Sequence, residues 1–339
     1  MEEALAFEPW NASSMDVDAA EAEAEAEDSI LGVNHKRAAV SLRYSPCGDR
    51  LAVASADKKC TIFDSSSSKV LTVLDGEHTV GLNDVAWLSE SFVVTASDDK
   101  TVRVWDVEAG KVVSTCSGHK SFVFCVDVHP DTKLLYSGSY DGSIRVFHAP
   151  SNSTVMNFSG HAGAVVSLHI NPQGEGREYV TGSHDGVCRI WDAATPSCCL
   201  RSTFSDSVPG ISGARYSPNG EYILVSSLDH QLNLYPSRGD APAVGAGAVK
   251  QYTGHVNSRF ALQSCFYSPQ ASGRGNLVLQ GSEDNCIYVW DVDQMNVVQR
   301  IAGHTDAVLA VASCPNANSR QVASAGRDSK VKFWRRTAS

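Results

Sequence analysis

Seven aspartates recur along the chain at a near-constant interval: Asp57, Asp99, Asp141, Asp185, Asp229, Asp284 and Asp328. Each is followed six residues later by an aromatic: Phe63, Trp105, Phe147, Trp191, Tyr235, Trp290 and Trp334. The steps between these aromatics are 42, 42, 44, 44, 55 and 44 residues. A self-similar period of that size is the mark of a repeat architecture, in which one supersecondary unit is copied and stacked. The residues one and three before each aromatic are apolar, as in Ile62 and Cys60 or Val104 and Val102, with mostly polar residues between them. That period-two pattern predicts a short β-strand with two distinct faces. A second β-rich run precedes each aspartate, such as FVVTAS (92–97) and YILVSS (222–227), so the aspartate is expected in the turn between two antiparallel strands.

A histidine recurs upstream in most units (His35, His78, His119, His161, His255, His304), and the fifth unit has none. In six units a serine stands two residues before the aspartate: Ser55, Ser97, Ser139, Ser183, Ser227 and Ser282. Trp supplies an N–H donor and Asp an acceptor-only carboxylate, and His and this Ser are expected to bridge them. Where Phe63 or Phe147 replaces Trp the donor is missing, and the network should be shorter. Because these groups recur in register, they read as a structural device and not as a catalytic triad. The chain carries no GxxxxGK[ST] loop, HExxH pair or GxSxG elbow. The expectation is a protein that is not an enzyme and takes no metal or cofactor.

Charge is unevenly placed. Of 38 acids, ten lie in residues 1–28, which contain no Lys or Arg; the 28 acids that remain balance 28 Lys and Arg. The stretch DVDAAEAEAEAED (16–28) has no apolar stripe, so residues 1–28 are expected to be a disordered acidic tail. A formally neutral body argues against direct nucleic-acid binding. No apolar run approaches the ~18 residues of a membrane helix, and the start of the sequence lacks the pattern of a secretory signal. Ten scattered cysteines with no CxxC pair read as free thiols.

The Gly-His, Asp and Trp-Asp spacing resembles the WD-repeat family over about nine-tenths of the chain. Seven units imply an all-β, seven-bladed β-propeller over residues 29–336. Its last blade is expected to be closed by SILGV (29–33) pairing with Val331–Arg335, which removes an open edge. The insertions RGDAPAVGAGAV (238–249) and ASGRGN (271–276) should be surface loops.

The residues just before each turn aspartate differ among the units: Ala56, Asp98, Tyr140, His184, Leu228, Glu283 and Arg327. They are expected at one mouth of the central channel, near Phe122, Phe124 and Phe260. An acid beside aromatics suits a planar cation such as a guanidinium.

The strings GLNDVAW, ASDDKTVRVWD, FVFCVDVHP, YSPNGEYIL, YTGH, GSEDNCIYVWD and GHTDAV sharpen the resemblance. They are similar to the WD-repeat scaffold subunit of COMPASS and MLL-type histone H3 lysine 4 methyltransferase complexes, in a plant- or algal-like variant. The resemblance implies a nuclear, non-catalytic scaffold, monomeric outside its complex, with methyltransferase and core subunits and the histone H3 tail as partners. It also implies an arginine-peptide pocket from Ala38, Ala56, Gly81, Asp98, Phe122, Phe124, Tyr140, His184 and Phe260. Phe124 would stack on the guanidinium, and Ala38, Ala56 and Gly81 would leave room for the peptide. A groove on the opposite face would comprise Asn219, Tyr222, Leu234, Lys250 and Tyr267, with Lys250 pairing a partner's acids. Gln263 stands where animal members carry a second clamping aromatic, His184 where many have Tyr, and Asn83 replaces a small hydroxyl residue. The alternative is a WD-repeat adaptor of a ubiquitin ligase or ribonucleoprotein complex.

Overall fold

The computed structural model describes residues 7–9, 35–173, 176–195, 199–204, 210–238, 248–267, 276–316 and 319–336. Their strands form seven four-stranded antiparallel sheets. Six sheets are built from consecutive strands, spanning residues 39–74, 82–116, 123–159, 165–204, 211–252 and 264–302. We number these as blades 1 to 6. Blade 7 takes Val308–Ser313, Gln321–Gly326 and Val331–Arg336 from one end of the chain and Phe7–Pro9 from the other. The repeat therefore yields the all-β, seven-bladed propeller that its spacing predicts.

Each blade starts with its inner strand and ends at the rim. Alternation along the inner and middle strands buries residues on both sheet faces, so consecutive blades press apolar faces together. Seven seams result. Leu74 and Ile62 of blade 1 pack with Val85 and Trp105 of blade 2. Equivalent clusters join each following pair of blades. The ring closes where Leu42, Val53 and Phe63 of blade 1 meet Ala323 and Phe333 of blade 7, with the Phe63 and Phe333 rings 6.0 Å apart and edge-on. Each fully buried Leu, Ile or Phe contributes about 1.5–3 kcal/mol, so these seams are the main cohesive force between blades.

The closing strand differs from expectation. Phe7, Glu8 and Pro9 pair antiparallel with Arg336, Arg335 and Trp334. Residues 29–33, and most of the acidic segment, lie outside the described residues. The outer strand of blade 7 offers main-chain donors and acceptors to any extended partner, so the slot is not restricted to an apolar pentapeptide like SILGV. The expected surface loops at 238–249 and 271–276 also lie mostly outside the described residues. None of the nine described cysteines is in a disulfide.

Within the blades, the bridging hydroxyl is not the serine two residues before the aspartate. In blade 2, His78 Nδ1 meets Asp99 at 2.7 Å and its Nε2 meets Thr95 Oγ1 at 2.8 Å. Thr95 then accepts from Trp105 Nε1 at 2.9 Å. Blade 4 repeats this with Asp185, His161, Thr181 and Trp191, and blade 7 with Asp328, His304, Ser324 and Trp334. The bridge stands four residues before the aspartate. Ser97 instead donates to Gly81 O at 2.9 Å and accepts from Asp99 N at 3.1 Å, which fastens the turn.

Candidate functional site

The turn that carries each aspartate also presents the variable residue before it. In six blades that residue's N–H donates to the carbonyl just before the inner strand, and in blade 6 to one in the loop that precedes it, over 2.8–3.1 Å. The acceptors are Ala38, Gly81, Phe122, Ala164, Gly210, Val256 and Ala307. The ring of Ala56, Asp98, Tyr140, His184, Leu228, Glu283 and Arg327 is thus fixed by main-chain bonds, and each side chain is free to differ.

Three aromatic rings gather on the blade 3 sector of this mouth. Phe122 and Phe124 lie 6.4 Å apart, Phe122 and Tyr140 6.2 Å, and Phe124 and Tyr140 6.0 Å. Phe122 and Tyr140 are exposed, while Phe124 is half-buried. Next to them stands Asp98, whose Oδ1 accepts from Asn83 Nδ2 at 2.6 Å. Asn83 also donates to Val123 O at 2.9 Å, which ties the carboxylate to the strand that carries Phe124.

Below the rings the channel opens into a cavity of about 360 Å³, lined by Phe124, His184, Phe260 and Gln263 among others. His184 is exposed at its edge against Gly210, and partial desolvation holds its imidazole below the ordinary histidine value. Gln263 donates to Ser41 Oγ at 3.0 Å and reaches Asp84 Oδ1 at 3.4 Å, so it forms part of the wall as a polar plate.

Phe260 already carries cations from its own chain. The Arg327 guanidinium lies 4.8 Å from the ring centroid and that of Arg259 5.6 Å. Glu283 accepts from the N–H groups of Ser258, Arg259 and Phe260, which fixes this loop. Ala38 and Ala56 are half-buried beside the blade 1 turn and joined by Ala56 N to Ala38 O at 2.9 Å. Gly81 is buried; a Cβ there would stand 2.9 Å from Ala56 O. Its glycine is demanded by the approach of blade 2 to blade 1, a reason the sequence alone does not disclose.

The five residues expected in the opposite groove are differently disposed. Tyr222 is exposed, and Asn219 is exposed with its amide donating to Glu221 at 2.8 Å. Leu234 and Tyr267 are buried, Leu234 in the blade 5–6 seam and Tyr267 under the Arg336 guanidinium at 5.6 Å. Lys250 is paired with Asp293 at 2.7 Å. Of the expected apolar walls, only Tyr222 presents a substantial surface, and Lys250 would have to exchange Asp293 for a partner's acid.

Sequence reasoning passed over the deep channel. Arg43, Asp84, His169 and Arg215 line the same cavity beneath the rings. Arg43 Nη1 is 2.6 Å from Asp127 Oδ1. These residues sit on inner strands of different blades, about 40 residues apart, and no local motif marks them. Among the described residues no group of three His, Cys, Asp or Glu could hold a metal ion, and no helix is long and apolar enough to cross a membrane.

A ring of seven blades with a varied mouth and a repeated structural relay defines a WD40 propeller, a class that typically serves as a non-catalytic scaffold. The chain belongs to the family of the WDR5 β-propeller domain, whose model matches residues 31–335. It is 28% identical over 154 residues to COMPASS component SWD3 of Saccharomyces cerevisiae, covering 41% of this chain and 47% of that protein. It is 26% identical over 168 residues to the WD repeat-containing protein WDS homolog of Arabidopsis thaliana, covering 49% and 28%. A third relative, WD repeat-containing protein 26 homolog of Arabidopsis thaliana, is 32% identical over 118 residues, covering 35% and 18%. The chain spans less than half the length of each of these curated relatives.

Proposed function

We propose that this propeller is a non-catalytic scaffold of a histone H3 lysine 4 methyltransferase complex of the COMPASS type. In this reading it holds an arginine-containing peptide, from the histone H3 tail or a methyltransferase, at the channel mouth. A second core subunit sits on the opposite face around Tyr222 and Lys250, and the complex works in the nucleus. The similarity to a COMPASS component supports the choice of complex.

The observation that carries the reading is Asp98, held by Asn83 at 2.6 Å, beside the Phe122–Phe124–Tyr140 cluster over an open cavity. A guanidinium that stacks on Phe124 gains about 0.5–2 kcal/mol, and its hydrogen bonds to a carboxylate add about 1.5–3 kcal/mol. Ala38 and Ala56 keep the blade 1 side low for the peptide backbone, and His184 borders the far side. Gln263 supplies a polar wall where a second ring would give further stacking, and Phe260 is covered by Arg327, so Phe124 carries the stacking alone. Phe124→Ala and Asp98→Ala are each expected to cost ~2 kcal/mol or more in binding an Arg-containing H3 peptide. Calorimetric titration of the wild type and both variants measures this; unchanged affinity would overturn the pocket.

A further inference from the structure

Among the described residues the deep channel contains one cation, Arg215, that no carboxylate contacts directly. Arg215 lies on the blade 5 inner strand, Ile211–Tyr216, and lines the central cavity. Among the described residues its guanidinium makes no hydrogen bond or ion pair, although it has five N–H donors to satisfy. Burial disfavours its charge, and the nearby Arg43 adds like-charge repulsion, so its pKa lies below the usual arginine value.

The acids within electrostatic reach are committed elsewhere. Asp84 accepts from Ser41 Oγ at 2.6 Å, Val85 N at 2.9 Å and Val126 N at 3.0 Å. Asp127 accepts from Arg43 Nη1 at 2.6 Å and Ile170 N at 2.8 Å. A second donor faces the same space. His169 lines the cavity, and its Nδ1 accepts from Tyr216 N at 3.3 Å. That bond places the ring proton of the neutral imidazole on Nε2, as an N–H donor.

We propose that this part of the channel binds a small free oxyanion, of the class of phosphate or a short carboxylate, on Arg215 and His169. A partly desolvated guanidinium that no carboxylate contacts directly is costly to keep. An oxyanion supplies the direct acceptor that Asp84 and Asp127, bonded elsewhere, do not, and its oxygens accept the N–H groups in bidentate geometry. The cavity of about 360 Å³ admits such an anion with room for water.

The probe is inorganic phosphate, titrated calorimetrically into the full chain at about pH 7 with ionic strength held by chloride. The expected result is one saturable site in the wild type, weakened about tenfold or more in Arg215→Gln. In Lys111→Gln, which removes an exposed cation from the outer strand of blade 2, far from the channel, affinity should stay within about twofold. In phosphate-free buffer Arg215→Met should melt at or above the wild-type temperature, because it removes a desolvated charge that has no direct partner. No saturable site in the wild type overturns the proposal. So does equal affinity in Arg215→Gln, loss of binding in Lys111→Gln, or a melting temperature of Arg215→Met well below wild type. None of these readouts depends on an arginine peptide, so they stand apart from the mouth reading.

Discussion

Blades 2, 4 and 7 differ from blades 1 and 6 in how completely they satisfy the same buried layer. In the first group a hydroxyl, Thr95, Thr181 or Ser324, joins His to Trp, and the chain from carboxylate to indole is unbroken. In blade 1 the equivalent position is Val53. There His35 reaches Asp57 at 3.1 Å, but its Nε2 has no partner among the described residues. In blade 6 the position is Gln280, both of whose amide atoms lack partners, as do both ring nitrogens of His255. Asp284 turns instead to Tyr288 at 2.8 Å and Arg300 at 2.9 Å, and Trp290 donates to Thr253 O at 3.0 Å. Blade 3 is intermediate: His119 reaches Ser137 at 2.8 Å, but Phe147 offers no donor. One small hydroxyl thus decides whether a polar layer is complete. An incomplete layer persists where the seven apolar seams already hold the blade in place.

The largest effect that would break this comparison is removal of the hydroxyl from a complete relay. Thr95→Val or Thr181→Val keeps the shape and orphans a His nitrogen and a Trp N–H. Each buried orphan costs about 1–3 kcal/mol, so the loss should be roughly 2–4 kcal/mol by urea denaturation. A loss below about 1 kcal/mol would mean that the relay adds nothing to packing.

Acid should act next. Burial pushes His119 and His255 down to about 4, below the ordinary ~6.5. Their folded pKa lies below the unfolded one, so the stability they contribute is fully present above about pH 6.5. It is lost as pH falls toward about 4. Although burial opposes it, the Ser143 hydroxyl and the Lys120 N–H hold Asp141 at about 2. That contribution is lost on further acidification below its ordinary ~3.9. Thermal melts from neutral pH downward should therefore show an early fall before the carboxylates titrate, and His255→Leu should shrink it. A melting temperature that stays level down to about pH 4.5 would contradict the assignment.

Smaller effects sharpen the comparison from the incomplete side. Gln280→Leu, which removes two unsatisfied groups from blade 6, should be neutral or stabilising by up to about 1 kcal/mol in the same urea assay. A loss of several kcal/mol would show that the amide is satisfied in solution. Val53→Thr offers His35 Nε2 the partner it lacks and should gain about 0.5–1 kcal/mol, reduced by the methyl it gives up. No gain in Val53→Thr would mean that blade 1 has no room to form the bond.

The fold was legible because the period is long, regular and chemically conspicuous. Asp99 with Trp105 and Asp185 with Trp191 announce a unit, and alternation around them gives the strands. The relay was only half legible. Ser97 and its equivalents recur more uniformly than the true bridge, which is Thr, Ser, Val or Gln, so uniformity pointed to the turn fastener. At the mouth, the Asp98 and Phe124 sector follows from chain order, since both lie at strand ends near one turn level. What stood outside the reach of sequence depends on contacts between distant blades. Examples are Arg327 over Phe260, Lys250 on Asp293, the burial of Tyr267 beneath Arg336, and Arg215 in the channel without a direct acid partner. No spacing rule within a repeat encodes which blade faces which across the channel.

The main-chain ring at the mouth has an evolutionary corollary. Each variable rim residue hangs from an amide bond that every L-amino acid except proline supplies. Exchanging Tyr140 or His184 therefore rewrites the surface of the mouth without disturbing the scaffold that displays it. The chemistry of the mouth can thus change one rim position at a time, while the packed seams beneath leave less room for exchange.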